Sequence, residues 1–300
     1  MSLEGIIQTI IGGLGSGTVY ALLGISFTLI FGRLKICSVM HGDIALLAAY
    51  IAYWLFTSIG FDPIASLVII VPILFLVGYL IQNLMLNKFM NLETWKGKYQ
   101  GQIMVTFGLA MVIMAIEYFI FTGTFKTINI SYRNATIQVG NIFIPVVSLF
   151  AIIITVALVV GLELVLKKTS LGIKIRACSI DRVSSQLAGI NYRRVCAVTF
   201  GISTAVAGIA GVFYSLRNQL GPSEGLELTF LGWVAVIIGG MGDLKGSLIA
   251  GLMMGVVESL VSYLWIPAYA QAALYLVLLL FLIFRPNGLF HKYATEARSM

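Results

Sequence analysis

KKTSLGIKIRACSIDRVSSQLAGINYRR, Lys167 to Arg194, decides how the whole chain is read. It carries seven of the 19 Lys and Arg residues and one acid, Asp181, in a chain that is only 10% charged, and long apolar runs flank it on both sides. Water must surround so much charge. Within it Ile180, Val183, Leu187 and Ile190 recur at offsets of three and four, which gives one apolar face, and Gly189 follows as a left-handed C′ residue would. This spacing predicts a short amphipathic helix, roughly Ser179 to Ala188, at a membrane surface. Two uses compete for it: a positively charged anchoring loop, or a docking helix gripped by a cytoplasmic partner.

Working outward, a 300-residue chain with 59% hydrophobic content and a mean hydropathy of +1.00 is too apolar for a soluble globule. It is an integral membrane protein. The net charge of +7 sits in short loops between apolar runs, so lipid headgroups and the positive-inside rule account for it better than nucleic acid does. Cys37, Cys178 and Cys196 lack metal spacing and are expected as free thiols. The N-terminal run has no basic start and continues past Phe31, as a first membrane segment does and a cleaved signal does not.

A spanning helix needs about 20 apolar residues. Candidates are Ile6 to Phe31, Ile44 to Ile59, Ile64 to Leu86, Ile103 to Thr122, Phe143 to Leu166, Val195 to Leu216, Phe230 to Gly240, Ser247 to Leu264 and Tyr269 to Phe284. The seventh is short for a crossing. FKTINISYRNATIQVGN, residues 125 to 141, alternates Ile and Thr as a small external hairpin would. With all nine crossing and the basic stretch cytoplasmic, 16 of the 19 Lys and Arg residues fall inside, and Lys126, Arg133 and Arg217 fall outside. The C-terminus is then cytoplasmic. The N-terminus is outside if nine segments cross and inside if one is a half-helix. Gly13 with Gly17, Ala207 with Gly211 and Gly251 with Gly255 mark faces where helices touch closely, expected as packing within the domain.

Two stretches resist continuous helix: RLKICSVMHGD, Arg33 to Asp43, and GGMGDLKG, Gly239 to Gly246. Non-helical backbone at membrane depth must be buried in protein or line a watery cavity, so paired breaks point to a transport pathway; the plain alternative is two cytoplasmic turns. The candidates there are His41, Gly42, Asp43, Gly239, Gly240 and Gly242. Glu117 and Glu258 lie deep within apolar runs and serve either a structural hydrogen-bond network or the pathway. Glu163 and Arg217 are close enough to segment ends to snorkel and receive no role. There is no G-x-x-x-x-G-K-[ST], no H-E-x-x-H and no histidine pair, which removes P-loop ATP binding, metallopeptidase chemistry and haem ligation by this chain. No catalytic or metal residues are assigned. Transport remains.

Six stretches now fall into one order: YALLGISFTLIFG (Tyr20 to Gly32), HGD with its apolar helix (His41 to Tyr53), TSLGIKIRACSIDRVSSQLAGI (Thr169 to Ile190), FGISTAVAGIAG (Phe200 to Gly211), GGMGDLKGSLIAGLMMGVVES (Gly239 to Ser259) and FRPNGLF (Phe284 to Phe290). In that order the chain resembles a permease subunit of the branched-chain amino-acid (LIV-type) ABC importers from about Gly15 to Phe290. The resemblance implies a single transmembrane permease domain over residues 1–300, an all-α membrane protein built as a polytopic helical bundle of about 8 to 10 membrane segments with partly broken helices and internal pseudo-repeats. It makes 167–194 the cytoplasmic coupling segment, with Arg176, Ala177, Asp181, Arg182, Val183, Ser184, Leu187, Gly189 and Ile190 meeting an ATPase. It further implies that ATP and Mg are used by two partner ATPase subunits and none by this chain. A second related permease, an extracytoplasmic solute-binding protein and a prokaryotic cell (inner) membrane complete the expectation. Where relatives commonly carry Asn, an aromatic and Ala before His-Gly-Glu, this chain carries Ser38, Val39 and Met40 before His41, Gly42 and Asp43. The expected cargo is a small polar solute, with branched-chain amino acids first; relatives of the same architecture carry urea, short amides, aromatic acids or nucleosides. The competing classes are an ion-coupled carrier or channel working through Asp43, Glu117 or Glu258, and a membrane scaffold. An exposed docking helix favours the importer.

Overall fold

The computed structural model describes residues 3–91, 95–133, 135–285 and 288–290. Lys292, Arg298 and the C-terminus, which enter the orientation count, lie outside the described residues, as do Pro286 and Asn287 of the closing motif. The chain forms α1 (Leu3–Leu34), α2 (His41–Ile59), α3 (Leu67–Leu84), a 3-10 turn (Leu86–Asn91), α4 (Trp95–Phe121), the hairpin β1 (Thr136–Val139) and β2 (Ile142–Pro145), and α5 (Val146–Lys168). Then come α6 (Ser170–Ile180), α7 (Arg182–Leu187), α8 (Tyr192–Arg217), α9 (Gly225–Gly239), α10 (Leu244–Leu264) and α11 (Ala268–Phe284).

Each of the nine apolar runs is a helix. Seven are long and apolar enough to cross a membrane, namely α1 to α5, α8 and α10, while α9 and α11 are shorter. The 15 residues of α9 rise about 22 Å, less than the roughly 30 Å hydrocarbon core. The reason lies in the preceding residues. Leu220 is buried and pairs antiparallel with Lys126, so the chain turns inward before α9 begins. Some boundaries move: α2 starts at His41 instead of Ile44, α4 at Trp95 instead of Ile103, and Phe143 to Pro145 belong to the hairpin, with α5 beginning at Val146. In the hairpin Ile137 pairs with Ile144 and Val139 with Ile142.

The molecule has two distinct ends. At one, Gln8 Nε2 donates to Phe143 O and Asn141 donates to Glu4 at 3.0 Å, which ties the start of α1 to the hairpin. At the other, a cavity of about 350 Å³ is lined by Arg33, Lys167, Arg176, Met241, Gly242 and Asp243, among others, and Arg182 donates to Met90 O in the 3-10 turn. Leu289 N donates to Ile238 O at this same end. The end of α1, the α3–α4 connection, the basic stretch, the α9–α10 turn and the last described residues therefore lie together. That gathers Arg33, Lys35, Lys88, Lys245, Arg285 and the basic stretch itself at one end.

The middle of the bundle is α1 and α8. In their apolar windows 83% and 89% of residues are buried, against 17% for α4 and 22% for α3 and α5, so the latter three form the outside. Since lipid offers no hydrophobic drive between helices, close backbone approach must supply the attraction, and the glycine pairs do this with one another. A Cβ on Gly13 would lie 2.6 Å from Gly255 O, and one on Gly17 would lie 2.7 Å from Leu252 Cα. The two small-residue stripes thus interlock between α1 and α10, inside one chain. Gly255→Leu is expected to lower the melting temperature of the purified protein, since an overpacked core costs about 1–3 kcal/mol. Gly161→Leu, at a site with nothing within 4 Å of an added Cβ, is expected to leave it unchanged.

Candidate functional site

The basic stretch folds as two short helices instead of one. Asp181 is extended (φ −145, ψ 120) and caps α7, accepting from Val183 N at 2.9 Å and Ser184 N at 3.2 Å. The expected helix over Ser179 to Ala188 is thus broken at Asp181, and Ser179 and Ile180 close α6. An Asp side chain that competes for the backbone N–H groups makes a better cap than an interior helical residue. Gly189 has the expected left-handed conformation (φ 80). Thr169 caps α6 and Asn191 caps α8 through Gly172 N and Arg194 N. All three helices therefore start on a side chain within the basic stretch itself.

α7 is anchored from beneath. Ser185 is buried, Arg182 Cζ sits 4.7 Å from the centre of the Tyr192 ring, and Ile190 packs against the core. The outer side is bare: Ile180 at the end of α6 and Val183 and Leu187 on α7 are 86%, 63% and 85% exposed. Arg176 turns inward and donates to Leu166 O, and Ala177 lies on α6 between it and the exposed tip. The Ser184 hydroxyl and the N–H groups of Val183 and Ser184 hold the Asp181 carboxyl below the usual carboxylate range. A depressed pKa means that the charged cap persists as pH falls through the ordinary value of about 3.9 and is lost only below it. Amide exchange at Val183 and Ser184 is expected to stay protected down to that pH, and Asp181→Ala is expected to remove the protection at neutral pH.

The second place of interest is the break between α1 and α2. Lys35 takes a left-handed conformation (φ 52), and residues 35–40 then run non-helical back into the bundle, with Ile36, Ser38 and Met40 buried. Their backbone groups are met by side chains from two helices, α4 and α9. Cys37 N donates to Gln102 Oε1 at 3.1 Å, Val39 N donates to Thr106 Oγ1 at 3.2 Å, and Thr229 Oγ1 donates to Val39 O and accepts from Gly42 N, both at 2.9 Å. His41 starts α2 fully buried, with Nδ1 2.9 Å from Ser38 Oγ and Nε2 2.8 Å from Ser203 Oγ. Ser203 spends its own proton on Ser26 O at 2.7 Å, so Nε2 must be the donor to Ser203. Phe27 and Phe200 flank the ring at 5.0 and 5.2 Å. Gly42 leaves no room for a Cβ against Gly225 and Thr229. The break therefore fastens α1, α2, α4, α8 and α9 to one another near the middle of the bundle.

The pathway candidates fall in three places. His41, Gly42 and Asp43 form the buried break. Glu117 is within electrostatic reach of Asp43; both are buried, and Asp43 Oδ2 and the two Glu117 oxygens have no hydrogen-bond partner among the described residues. Gly239, Gly240 and Gly242 lie at the basic end in the turn between α9 and α10, with Gly240 and Gly242 at φ 97 and 102, and Asp243 caps α10 through Lys245 N and Gly246 N. Glu258 lies apart, toward the hairpin end, where Tyr20 donates to its Oε2 at 2.7 Å. Arg217, at the end of α8 as the sequence places it, is part-buried, and Ser148, Gly12 O and Ser16 take its hydrogen bonds. Gln102, Thr106 and Thr229 also escaped the sequence reading, because Thr and Gln in a membrane helix carry no signal until the backbone they satisfy is placed. Thr229→Val would orphan Gly42 N and Val39 O, each worth about 1–3 kcal/mol when buried unpaired. It is expected to lower the melting temperature, and Thr229→Ser is expected to retain most of the stability.

A bundle of apolar helices with a buried break, and an exposed capped helix at its basic end, defines a polytopic membrane protein with a partner-accessible element. The chain belongs to the family described as branched-chain amino acid transport system / permease component, which matches residues 9–283. It is similar to the high-affinity branched-chain amino acid transport system permease protein BraD of Pseudomonas aeruginosa, 24% identical over 97% of each chain. The corresponding permease protein LivH of Escherichia coli is 25% identical over 97% of each chain. The nucleoside ABC transporter permease protein NupB of Lactococcus lactis is 29% identical over 42% of this chain and 32% of its own. No solved structure matches.

Proposed function

We propose that this chain is the membrane-spanning permease subunit of an ABC importer that moves branched-chain amino acids into a prokaryotic cell across its inner membrane. The observation that carries this reading is the exposed tip of α7 at the basic end of a family member matched over residues 9–283. Two short helices, each started by a side-chain cap, hold Val183 and Leu187 in fixed positions outside the bundle, as an element must if it is to press into a groove of another subunit. A carrier driven by an ion gradient has no use for it.

In this reading the basic end is cytoplasmic, by the positive-inside rule, and the C-terminus is on the same side. Val183, Ser184, Leu187 and Gly189 form the surface that meets an ATPase subunit. Arg176, Ala177, Asp181 and Arg182 fix its position from behind. ATP and Mg are used by two such subunits, and a second related permease and an extracytoplasmic solute-binding protein complete the assembly. Closure of the ATPases moves α7, and α6 and α8 carry the movement into the bundle. The buried break at His41, Gly42 and Asp43 is where that movement reaches the pathway, because His41 joins α2 to α8 through Ser203. Glu117 faces the same region. The turn at Gly239, Gly240 and Gly242 lies beside α6 and lets α9 and α10 follow it.

The test replaces Asp181 by Lys, which removes the cap of α7 and reverses its charge in solvent without touching the bundle. In the co-purified assembly in nanodiscs, solute-stimulated ATP hydrolysis is expected to vanish while the melting temperature stays that of wild type; full coupled transport by this variant would refute the docking role. His41→Ala and Asp43→Asn are expected to alter transport kinetics with ATPase subunits still co-purifying.

A further inference from the structure

At the hairpin end, Arg217 of α8 and Glu258 of α10 line one open cavity of about 430 Å³ together with Thr9, Ser16, Ser259 and Ser262. The volume suits a small solute. The two charges act on each other electrostatically, yet they form no ion pair: among the described residues the ion pairs within 4.0 Å are those of Glu163 with Lys167 and Lys245. Opposite charges that share a cavity in a membrane protein and do not meet leave a gap with a positive and a negative wall.

Each wall is built. The Arg217 guanidinium is fixed by Ser148 Oγ, by Gly12 O at 3.0 Å and by Ser16 Oγ at 3.2 Å, which among the described residues leaves two of a guanidinium's five N–H groups uncommitted. Glu258 is fixed through Oε2 by Tyr20, which is itself buried, and among the described residues no hydrogen bond reaches Oε1. Between them the cavity is lined by Gly12 and Ser16 of α1 and Ser259 of α10, on the two helices whose glycine stripes bring their backbones together. An anion alone would gain nothing from Glu258, and a cation alone would gain nothing from Arg217. A ligand with both charges on neighbouring atoms uses both, with serine hydroxyls available to either group.

We propose that this cavity binds a zwitterionic α-amino acid, its carboxylate on Arg217 and its ammonium on Glu258. The proposal rests on the reading of the chain as an amino-acid permease and places the cargo at the end opposite the basic stretch, where it would enter. Guanidinium is suited to carboxylate because the planar fork gives charge-assisted hydrogen bonds of fixed direction.

The test uses photoactivatable leucine on the co-purified assembly in phosphatidylcholine nanodiscs, with labelled peptides mapped by mass spectrometry. Labelling is expected on α1, α8 and α10 around Ser16, Arg217 and Glu258. Excess leucine should suppress it, while leucinamide, which lacks the carboxylate, and 2-hydroxy-4-methylpentanoate, which lacks the ammonium, should not. Arg217→Gln and Glu258→Gln should each cut it at least about tenfold, equivalent to 1.4 kcal/mol of binding, and Arg217→Lys should restore part of it. If either variant fails to fold, the competition pattern on wild type decides alone. Leucine transport by the same preparation is measured in parallel. Transport without labelling of these helices would overturn the site and leave the permease reading intact, whereas absence of leucine transport would count against the cargo itself. Loss of labelling in phosphatidylethanolamine nanodiscs would reassign the cavity to a lipid headgroup.

Discussion

Inside a bilayer no water completes an unmet backbone hydrogen bond, and this chain departs from helix where that constraint is most severe. Residues 35–40 run non-helical into the bundle, and Gln102, Thr106 and Thr229 take up their N–H and C=O groups. Those side chains come from α4 and α9, so the break cannot exist unless both helices are in place. His41 then binds the start of α2 to Ser203 on α8 and, through it, to Ser26 O on α1. The non-helical segment is therefore the place where five helices are fastened. Any displacement of one of them changes the geometry of the others.

From this fastening the two ends acquire different characters. Toward the basic end, α1, α5 and α9 finish and α10 begins, and the helices that start there take their caps, Asp243 and Thr169 among them, from side chains of the connecting residues. The connection there between α5 and α8 is itself helical and leaves the tip of α7 uncovered. Toward the hairpin end, α8 finishes on Arg217, whose guanidinium reaches back to α1 and α5 and holds both. The charge is retained there because the hydroxyls of Ser148 and Ser16 and the Gly12 carbonyl take its hydrogen bonds, with the Glu258 carboxylate in the same cavity. The same features that make each end stable give it a surface chemistry: apolar and cationic at one, zwitterion-compatible at the other.

The glycine stripes show how a local pattern becomes architecture. Gly13 and Gly17 could have faced any neighbour, in this chain or another. They face Gly251 and Gly255, because α1 and α10 are the pair brought closest, and the resulting backbone contact fixes the separation of Ser16 from Glu258. Glycine spacing shows that a close contact exists. It does not name the partner.

By itself the sequence determined the class, the nine apolar helices, the bias of Lys and Arg to one end, the left-handed Gly189 and the existence of a break before His41, since each follows from the solvent that a short stretch of residues must meet. It read Ile180 to Ile190 as one periodic face and so ran the short surface helix through Asp181, because periodicity is blind to a side chain that caps. It also treated the two breaks as a pair, whereas the glycine turn at 239–242 lies at the basic end and the break at 35–40 lies within the bundle. Only the tertiary structure decided that difference, together with the roles of Thr229, Gln102, Ser203 and Arg217. A hydroxyl or guanidinium in an apolar helix has no meaning until the backbone or charge it answers has been brought beside it from a distant part of the chain.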